Sequence, residues 1–291
     1  MRAAGKRRIV YPRRSTEIRI WNLADLHWMS KGCAENRLKD DIKEIRDDLY
    51  SFWFGGGDYC DFIGYKDKRF DPDAVADWVT VKEMGRLAAT GYTGVAKLLR
   101  PIAHKCLGLL EGNHERVYEL HTEQQERTQW LCCELNTPNL GYAAFVDVVL
   151  ARDPKAKRPT LVDRPGAVRS GDSWRIRFCL HHGAGFAQTP AGKLKRLIDF
   201  MEIFEADVYM MGHVHDQSGK RSSVICADRQ CKELVSREKI GVISGSYLQT
   251  YKKDATLYGE QRMYKPTILG AASITLIPGG DGKPNRIKAE I

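Results

Sequence analysis

Apolar residues in this chain fall mostly in short runs, and many of the runs end in a glycine-containing turn. Glu17–Leu23 alternates and is rich in Ile and Trp, the pattern of a strand, and it stops at Ala24-Asp25-Leu26-His27. Asn36–Leu49 is charged, with Leu38, Ile42, Ile45 and Leu49 at helical spacing, and predicts a surface helix. Ser51–Phe54 predicts a second strand, broken by Gly55-Gly56-Gly57-Asp58. Asp71–Ala88 and Thr93–Ile102 predict helices. Lys105–Leu110 predicts a strand that stops at Glu111-Gly112-Asn113-His114, and a long polar helix follows over Glu115–Leu135. In the second half, Tyr142–Leu150, Trp174–His181, Asp207–Met211, Ser222–Val235, Ile240–Ser244 and Ala272–Ile277 predict strands, and Lys193–Phe204 a helix. Met1–Arg14 reads as a basic tail ahead of one domain over residues 15–291. Ala151–Asp172, rich in Pro, Gly, Lys and Arg, reads as an exposed basic loop or inserted hairpin.

Length and composition narrow the picture. The chain has 291 residues, 43% hydrophobic and 29% charged, enough to bury a core and a recessed site. No stretch approaches the roughly 20 apolar residues of a membrane span, so no membrane association is expected. The basic N-terminus lacks the apolar segment of a secretory signal, and a soluble cytoplasmic protein is expected. The net charge of +9 suits a polyanionic partner, and equally a solvated, soluble surface. Eight cysteines occur without a CxxC pair, which argues against a zinc ribbon or a thioredoxin-like motif. Cys226 and Cys231 flank Ala-Asp-Arg-Gln and could meet across a turn. The oligomeric state is not legible.

The chemistry is concentrated at the strand ends. Five segments carry side chains suited to metals: Asp25-Leu26-His27, Gly57-Asp58-Tyr59-Cys60-Asp61, Gly112-Asn113-His114-Glu115, His181-His182-Gly183 and Gly212-His213-Val214-His215. Carboxylates and neutral imidazoles suit Mn, Fe or Zn, and the absence of thiolates argues against a structural zinc site. Asp25/His27 and His213/His215 are spaced i, i+2, which on an extended chain end points both side chains the same way. Loops at the carboxyl ends of strands converge in open α/β sheets, so these segments are expected to form one site. Each segment alone has an ordinary explanation as a turn or a packed histidine; five in this order do not.

The set resembles the calcineurin-like metallophosphoesterase superfamily, whose blocks DxH, GD, GNH(E), H and GHxH are matched in order from Asp25 to His215. The resemblance implies an α/β fold, a four-layer α/β/β/α sandwich. It also implies two divalent metal ions, Mn or Fe being favoured and Zn, Ni or Mg admitted. Carried over position by position, Asp25, His27 and His215 would hold one ion, Asn113, His182 and His213 the other, and Asp58 would bridge both. His114 would stand near the scissile ester. Asp61 could orient it, since a carboxylate that accepts from imidazole raises its basicity, or could be a helix N-cap or solvated turn residue. Two metals clamp an in-line displacement at phosphorus, and a hydroxide bridging them is the expected nucleophile.

The substrate is read less directly. Phosphatases of this superfamily that act on proteins carry GDxVDRG; here the arginine position is Phe62, which favours a phosphodiester over a monoester. Trp28 and Tyr59 could stack on a base or could be packing residues, and His181 could line the site or finish its strand. The basic segments and the net charge lean toward DNA, RNA or a nucleotide as partner. Gly245–Tyr251 resembles a stretch in phage- and prophage-encoded members, which would place the protein in a host cytoplasm. A phosphomonoesterase and a non-catalytic nucleic-acid-binding module are the competing readings.

Overall fold

A computed structural model describes residues 1–13, 16–65, 67–122, 127–162, 173–228, 230–280 and 284–291. In chain order, the strands are β1 (Arg2–Tyr11), β2 (Ile18–Leu23), β3 (Ser51–Gly55), β4 (Cys106–Leu110), β5 (Asn139–Gly141), β6 (Ala143–Arg152), β7 (Thr160–Val162), β8 (Ser173–His181), β9 (Val208–Met211), β10 (Ser218–Ala227), β11 (Leu234–Ile243), β12 (Ala272–Ile277) and β13 (Arg286–Glu290). The helices are α1 (Glu35–Asp47), α2 (Val81–Met84), α3 (Leu87–Leu99), α4 (Asn113–Thr122), α5 (Arg127–Glu134), α6 (Pro190–Ile203) and α7 (Tyr258–Gln261). None of the described helices is long and apolar enough to cross a membrane.

The strands form a seven-stranded sheet, β10-β11-β9-β8-β6-β1-β7, and a six-stranded sheet, β13-β12-β2-β3-β4-β5. Alternation along each strand divides its side chains between two cores. Ile18 and Ile20 of β2, with Phe52 and Phe54 of β3, face Phe178 and Leu180 of β8 and Val208 and Met210 of β9 between the sheets. The other faces of β2, β3 and β4, carrying Trp21, Trp53 and Leu109, are covered by α1, α3 and α5. Cys179 and Tyr209, on the far side of the second sheet, are covered by Leu197, Phe200 and Met201 of α6. The result is the four-layer α/β/β/α sandwich implied by the motif set. Burial on both faces explains why the central strands read as unbroken apolar runs.

Several expectations are corrected. The N-terminal stretch read as a basic tail is strand β1, paired with β6 on one side and β7 on the other. Its Lys and Arg residues mask Ile9 and Tyr11, which are buried. In the expected loop Ala151–Asp172, Ala151 and Arg152 finish β6 and Thr160–Val162 is β7, while residues 163–172 lie outside the described residues. Ser222–Val235 is a hairpin rather than one strand: β10 and β11 pair antiparallel, and a turn sits where Asp228 accepts from the backbone of Lys232 and Glu233. Cys226 lies opposite Val235 there, not Cys231, and all eight cysteines are free thiols. The helix expected over Asp71–Ala88 is broken into α2 and the start of α3, because Thr80 and Glu83 form a capping box that starts a new helix.

Candidate metal centre

Strands β2, β3 and β4 run parallel, as do β8 and β9, so the loops that follow each set leave at a common sheet edge. Asp25 and His27 follow β2, Asp58 and Asp61 follow β3, Asn113 and His114 open α4 after β4, His182 follows β8, and His213 and His215 follow β9. Three interlocked groups have their donor atoms within 4.8 Å of one another: Asp25/His27/His215, His27/Asp58/His114 and Asp58/His182/His213.

The convergence has a different backbone origin from the one expected. Asp25, His27, Asp58, His213 and His215 all have positive φ, at 54°, 46°, 52°, 70° and 47°. They are therefore left-handed turn residues and not pleated strand ends. The i, i+2 pairs are divided accordingly: Asp25 and His27 share one donor group, whereas His213 and His215 belong to different ones. Each left-handed residue costs on the order of 1 kcal/mol, and such strain gathers at functional sites. Two glycines let the loops close. Gly57 has φ of 92°, and a Cβ there would meet Gly112 and His182 at 2.7 Å. A Cβ on Gly112 would strike the Asp58 backbone and carboxylate.

Hydrogen bonds fix Asp25, His27, His182 and His213 and leave one atom of each facing the centre. Asp25 Oδ2 accepts from the His213 backbone N–H at 2.8 Å, while Oδ1 is buried with no hydrogen-bond partner. His215 Nε2 stands 3.4 Å from that oxygen, within ion-pair range but without hydrogen-bond geometry. His27 Nδ1 bonds the Asp61 carboxylate at 3.1 Å, and its Nε2 faces His215 Nε2 at 3.2 Å. His182 Nδ1 donates to the Gly56 carbonyl at 2.8 Å and His213 Nε2 to the Gly185 carbonyl at 3.0 Å. The free ring nitrogens of His182 and His213 then meet the Asn113 carboxamide end at 3.0 and 2.7 Å, with Asp58 Oδ2 at 3.3 Å from it. An amide NH₂ in that place would donate; an oxygen there would face only acceptors, an arrangement that a cation reconciles. The orphaned Asp25 oxygen, the facing imidazole nitrogens and the all-acceptor surroundings of Asn113 together fit divalent metal binding.

The electrostatics point the same way. Burial would raise Asp58, but the facing charges of His182 and His114 overcome it and hold the carboxylate well below its usual range. Burial favours a neutral His182, yet the Asp58 charge lifts that ring to about 10, so in the metal-free protein its Nε2 holds a proton that a bound cation would displace. Asp25, also fully buried, is held below the usual carboxylate range by His215. A cation entering this pocket meets a field that already favours positive charge.

The remaining sequence candidates divide. His114 stands at the edge of the cluster, its ring 4.8 Å from that of His27. Its Nδ1 bonds the backbone carbonyl of Asp61 at 2.5 Å, while the Asp61 carboxylate lies 3.6 Å away and serves His27. The orienting contact expected from the Asp61 side chain is thus made by its carbonyl. Tyr59 is fully buried and donates to the Leu110 carbonyl at 2.8 Å, so it is a core residue that no base can reach. Trp28 packs on the helical core beside Trp78, 5.5 Å between rings. His181 turns to the opposite face of β8 from His182, against Phe200 of α6, and accepts from the Gly183 N–H. Phe62 is buried between Tyr92 and Tyr118.

Sequence reasoning gave no role to four further features. Glu115 accepts from the backbone N–H groups of Asp58, Tyr59, Cys60 and Gly112, at 2.9, 2.7, 3.4 and 2.9 Å, and so clamps the β3 and β4 loops together. Its place one residue after His114 was the available signal. The loop after β11 braces Asp25, whose carbonyl accepts from Tyr247 N at 2.9 Å and Ser246 Oγ at 3.2 Å. Lys193 of α6 donates to the His215 carbonyl at 3.2 Å. Arg69, ion-paired to Asp67 at 2.8 Å, lies close enough to feel the charges of Asp61 and Asp58. No local motif announces the last three.

No protein-family model matches the chain, and neither does any curated protein. Solved structures do. Vps29 from Entamoeba histolytica complexed with Zn²⁺ aligns at 11% identity and a TM-score of 0.36, over 94% of this chain and 97% of that one. A single mutant of the same Vps29 aligns at 13% identity and 0.36, with the same coverage. A conserved uncharacterized protein from Streptococcus pneumoniae, described as a predicted phosphoesterase, aligns at 10% identity and 0.33, over 94% of this chain and 99% of that one. Likeness this distant carries no argument about activity; the donor cluster itself does.

Proposed function

We propose that the chain is a metal-dependent phosphoester hydrolase of the calcineurin-like metallophosphoesterase superfamily, using two divalent ions and favouring phosphodiesters of nucleic acid or nucleotides. The carrying observation is that Asp58 groups with His182 and His213 on one side and with His27 on the other, and that His27 in turn groups with Asp25 and His215. One carboxylate serving two groups suits a pair of ions; a single ion has no use for the second group. Asp25, His27 and His215 would hold one ion, Asn113, His182 and His213 the other, with Asp58 between them. Mn²⁺ or Fe²⁺ suits such a mixture of carboxylate, carboxamide and imidazole. When bound, the ions neutralise phosphoryl charge and lower the pKa of a coordinated water.

The chain's own groups supply the rest. Asp61 fixes the His27 ring from behind, and Glu115 holds the Asp58 loop in place. His114, anchored through Nδ1, has Nε2 left for the substrate, and an imidazolium there carries the proton for the leaving oxygen.

Arg69 supports a second reading. Position 62 offers no phosphate-binding arginine, but the residue 69 guanidinium, held by Asp67 and within electrostatic reach of Asp61 and Asp58, would grip the terminal oxygens of a monoester if released from that pair. The test is hydrolysis of bis-p-nitrophenyl phosphate against p-nitrophenyl phosphate by metal-stripped protein reconstituted with Mn²⁺. A higher kcat/KM on the diester supports the first reading, and a higher value on the monoester supports the second. No turnover of either with Mn²⁺, Fe²⁺ or Zn²⁺ rejects both.

A further inference from the structure

The loop after β8 and the segment between β11 and β12 place a row of aromatic rings beside the cluster. The row begins at Gly185, whose carbonyl accepts from His213. The next residue, Phe186, is 62% exposed and packs on Tyr264 at 5.6 Å between rings. Tyr264 meets Tyr258 at 6.1 Å, and its carbonyl accepts from the Tyr251 hydroxyl at 2.9 Å. Tyr258 and Tyr251 are 49% and 45% exposed. Beyond Tyr251 the row opens into a cleft of about 700 Å³, lined in part by Trp78, Lys252, Lys253, Glu35 and the ion pair of Lys31 with Asp77 at 3.0 Å.

Cations accompany the rings. The Arg196 guanidinium lies over Gly185, Lys193 reaches the His215 carbonyl, and Arg262 sits 5.4 Å above the Tyr258 ring. Asp254 and Glu260 are the acids of the same stretch, against Lys252, Lys253, Arg262 and Lys265. Neighbouring exposed aromatic rings are the kind of surface that interaction sites use. The combination selects its occupant: aromatic faces stack on bases of any sequence, cations follow phosphates, and only an unpaired strand presents its base faces.

We propose that Phe186, Tyr264, Tyr258 and Tyr251 form a stacking platform for single-stranded nucleic acid, leading a phosphodiester of that strand into the cluster. The placement of the scissile phosphate rests on the hydrolase reading; the platform itself does not. The test is fluorescence anisotropy of a labelled oligothymidylate with phosphorothioate linkages, which resists cleavage, against the same strand in a duplex, with the Mn²⁺-loaded protein. The single strand should bind more tightly than the duplex, and Phe186→Ala combined with Tyr258→Ala should weaken it by about tenfold or more. Arg262→Glu, at an exposed position with no packing role in the core, should weaken it by a smaller factor and steepen nothing in the duplex control. Equal binding of single strand and duplex, or unchanged binding in both variants, overturns the platform. Turnover of bis-p-nitrophenyl phosphate by the wild type reads the cluster separately. Strand binding without turnover keeps the platform and rejects the hydrolase reading; turnover without strand binding does the reverse.

Discussion

Asp58 and Phe186 both border the candidate site, yet their surroundings differ in kind. Asp58 is 1% exposed and left-handed, and Glu115 grips its backbone while its carboxylate accepts from the His114 N–H. Phe186 is 62% exposed and rests against Tyr264, itself part of a surface loop. The floor of the site is fixed before any ligand arrives, as a metal demands of its donors. The rim offers flat faces whose exact position matters little, as stacking on varied bases allows. Burial is concentrated in the floor because the floor carries the geometry, and the left-handed residues there are donors, whereas those of the rim segment, Asp254 and Met263, are exposed turn residues.

The sharpest way to break this contrast is Asp58→Ala. Removing the shared donor should abolish metal binding at both groups and lower turnover on the order of 10⁴-fold. Retained activity would mean the floor is not the reaction centre. His114→Ala should keep the bound metal but lose about 10²- to 10⁴-fold in kcat on substrates with poor leaving groups, and less with p-nitrophenolate. A uniform loss across leaving groups would remove His114 as the acid. Glu115→Gln turns a carboxamide toward four backbone donors. Mn²⁺ titration should show affinity weakened about 10- to 100-fold, and denaturation a cost of about 3 kcal/mol. His213→Gly tests the strain directly: metal affinity should fall while metal-free stability rises by about 1 kcal/mol, a shift of a few degrees in Tm. Phe186→Ala, on the rim, should change stability by less than about 0.5 kcal/mol.

The same contrast governs what the sequence disclosed. The floor was legible because its donors lie within a few residues of strand ends, in short blocks such as Gly112-Asn113-His114-Glu115 whose order survives in one dimension. The central strands were legible because burial on both faces leaves unbroken apolar runs, as in Val208–Met211. Strand β1 was hidden because its exposed side carries Lys6 and Arg8, so its charge outweighed the alternation at Ile9 and Tyr11. The direction of side chains was not legible: Tyr59 and His181 neighbour donors in sequence, but neighbouring residues point to opposite sides, and both went to packing. Lys193 and the Phe186–Tyr264 contact join segments distant in the chain, where no spacing rule applies, and Arg69 sits in an irregular loop that no motif marks.

The most direct test of the central claim is the number of Mn²⁺ ions bound per chain after stripping and reconstitution, measured by elemental analysis alongside turnover of bis-p-nitrophenyl phosphate. The account predicts two ions per chain in the active protein, with both ions and turnover lost in Asp58→Ala. One ion or none in a protein that still turns over, or full metal binding in the Asp58 variant, would contradict it.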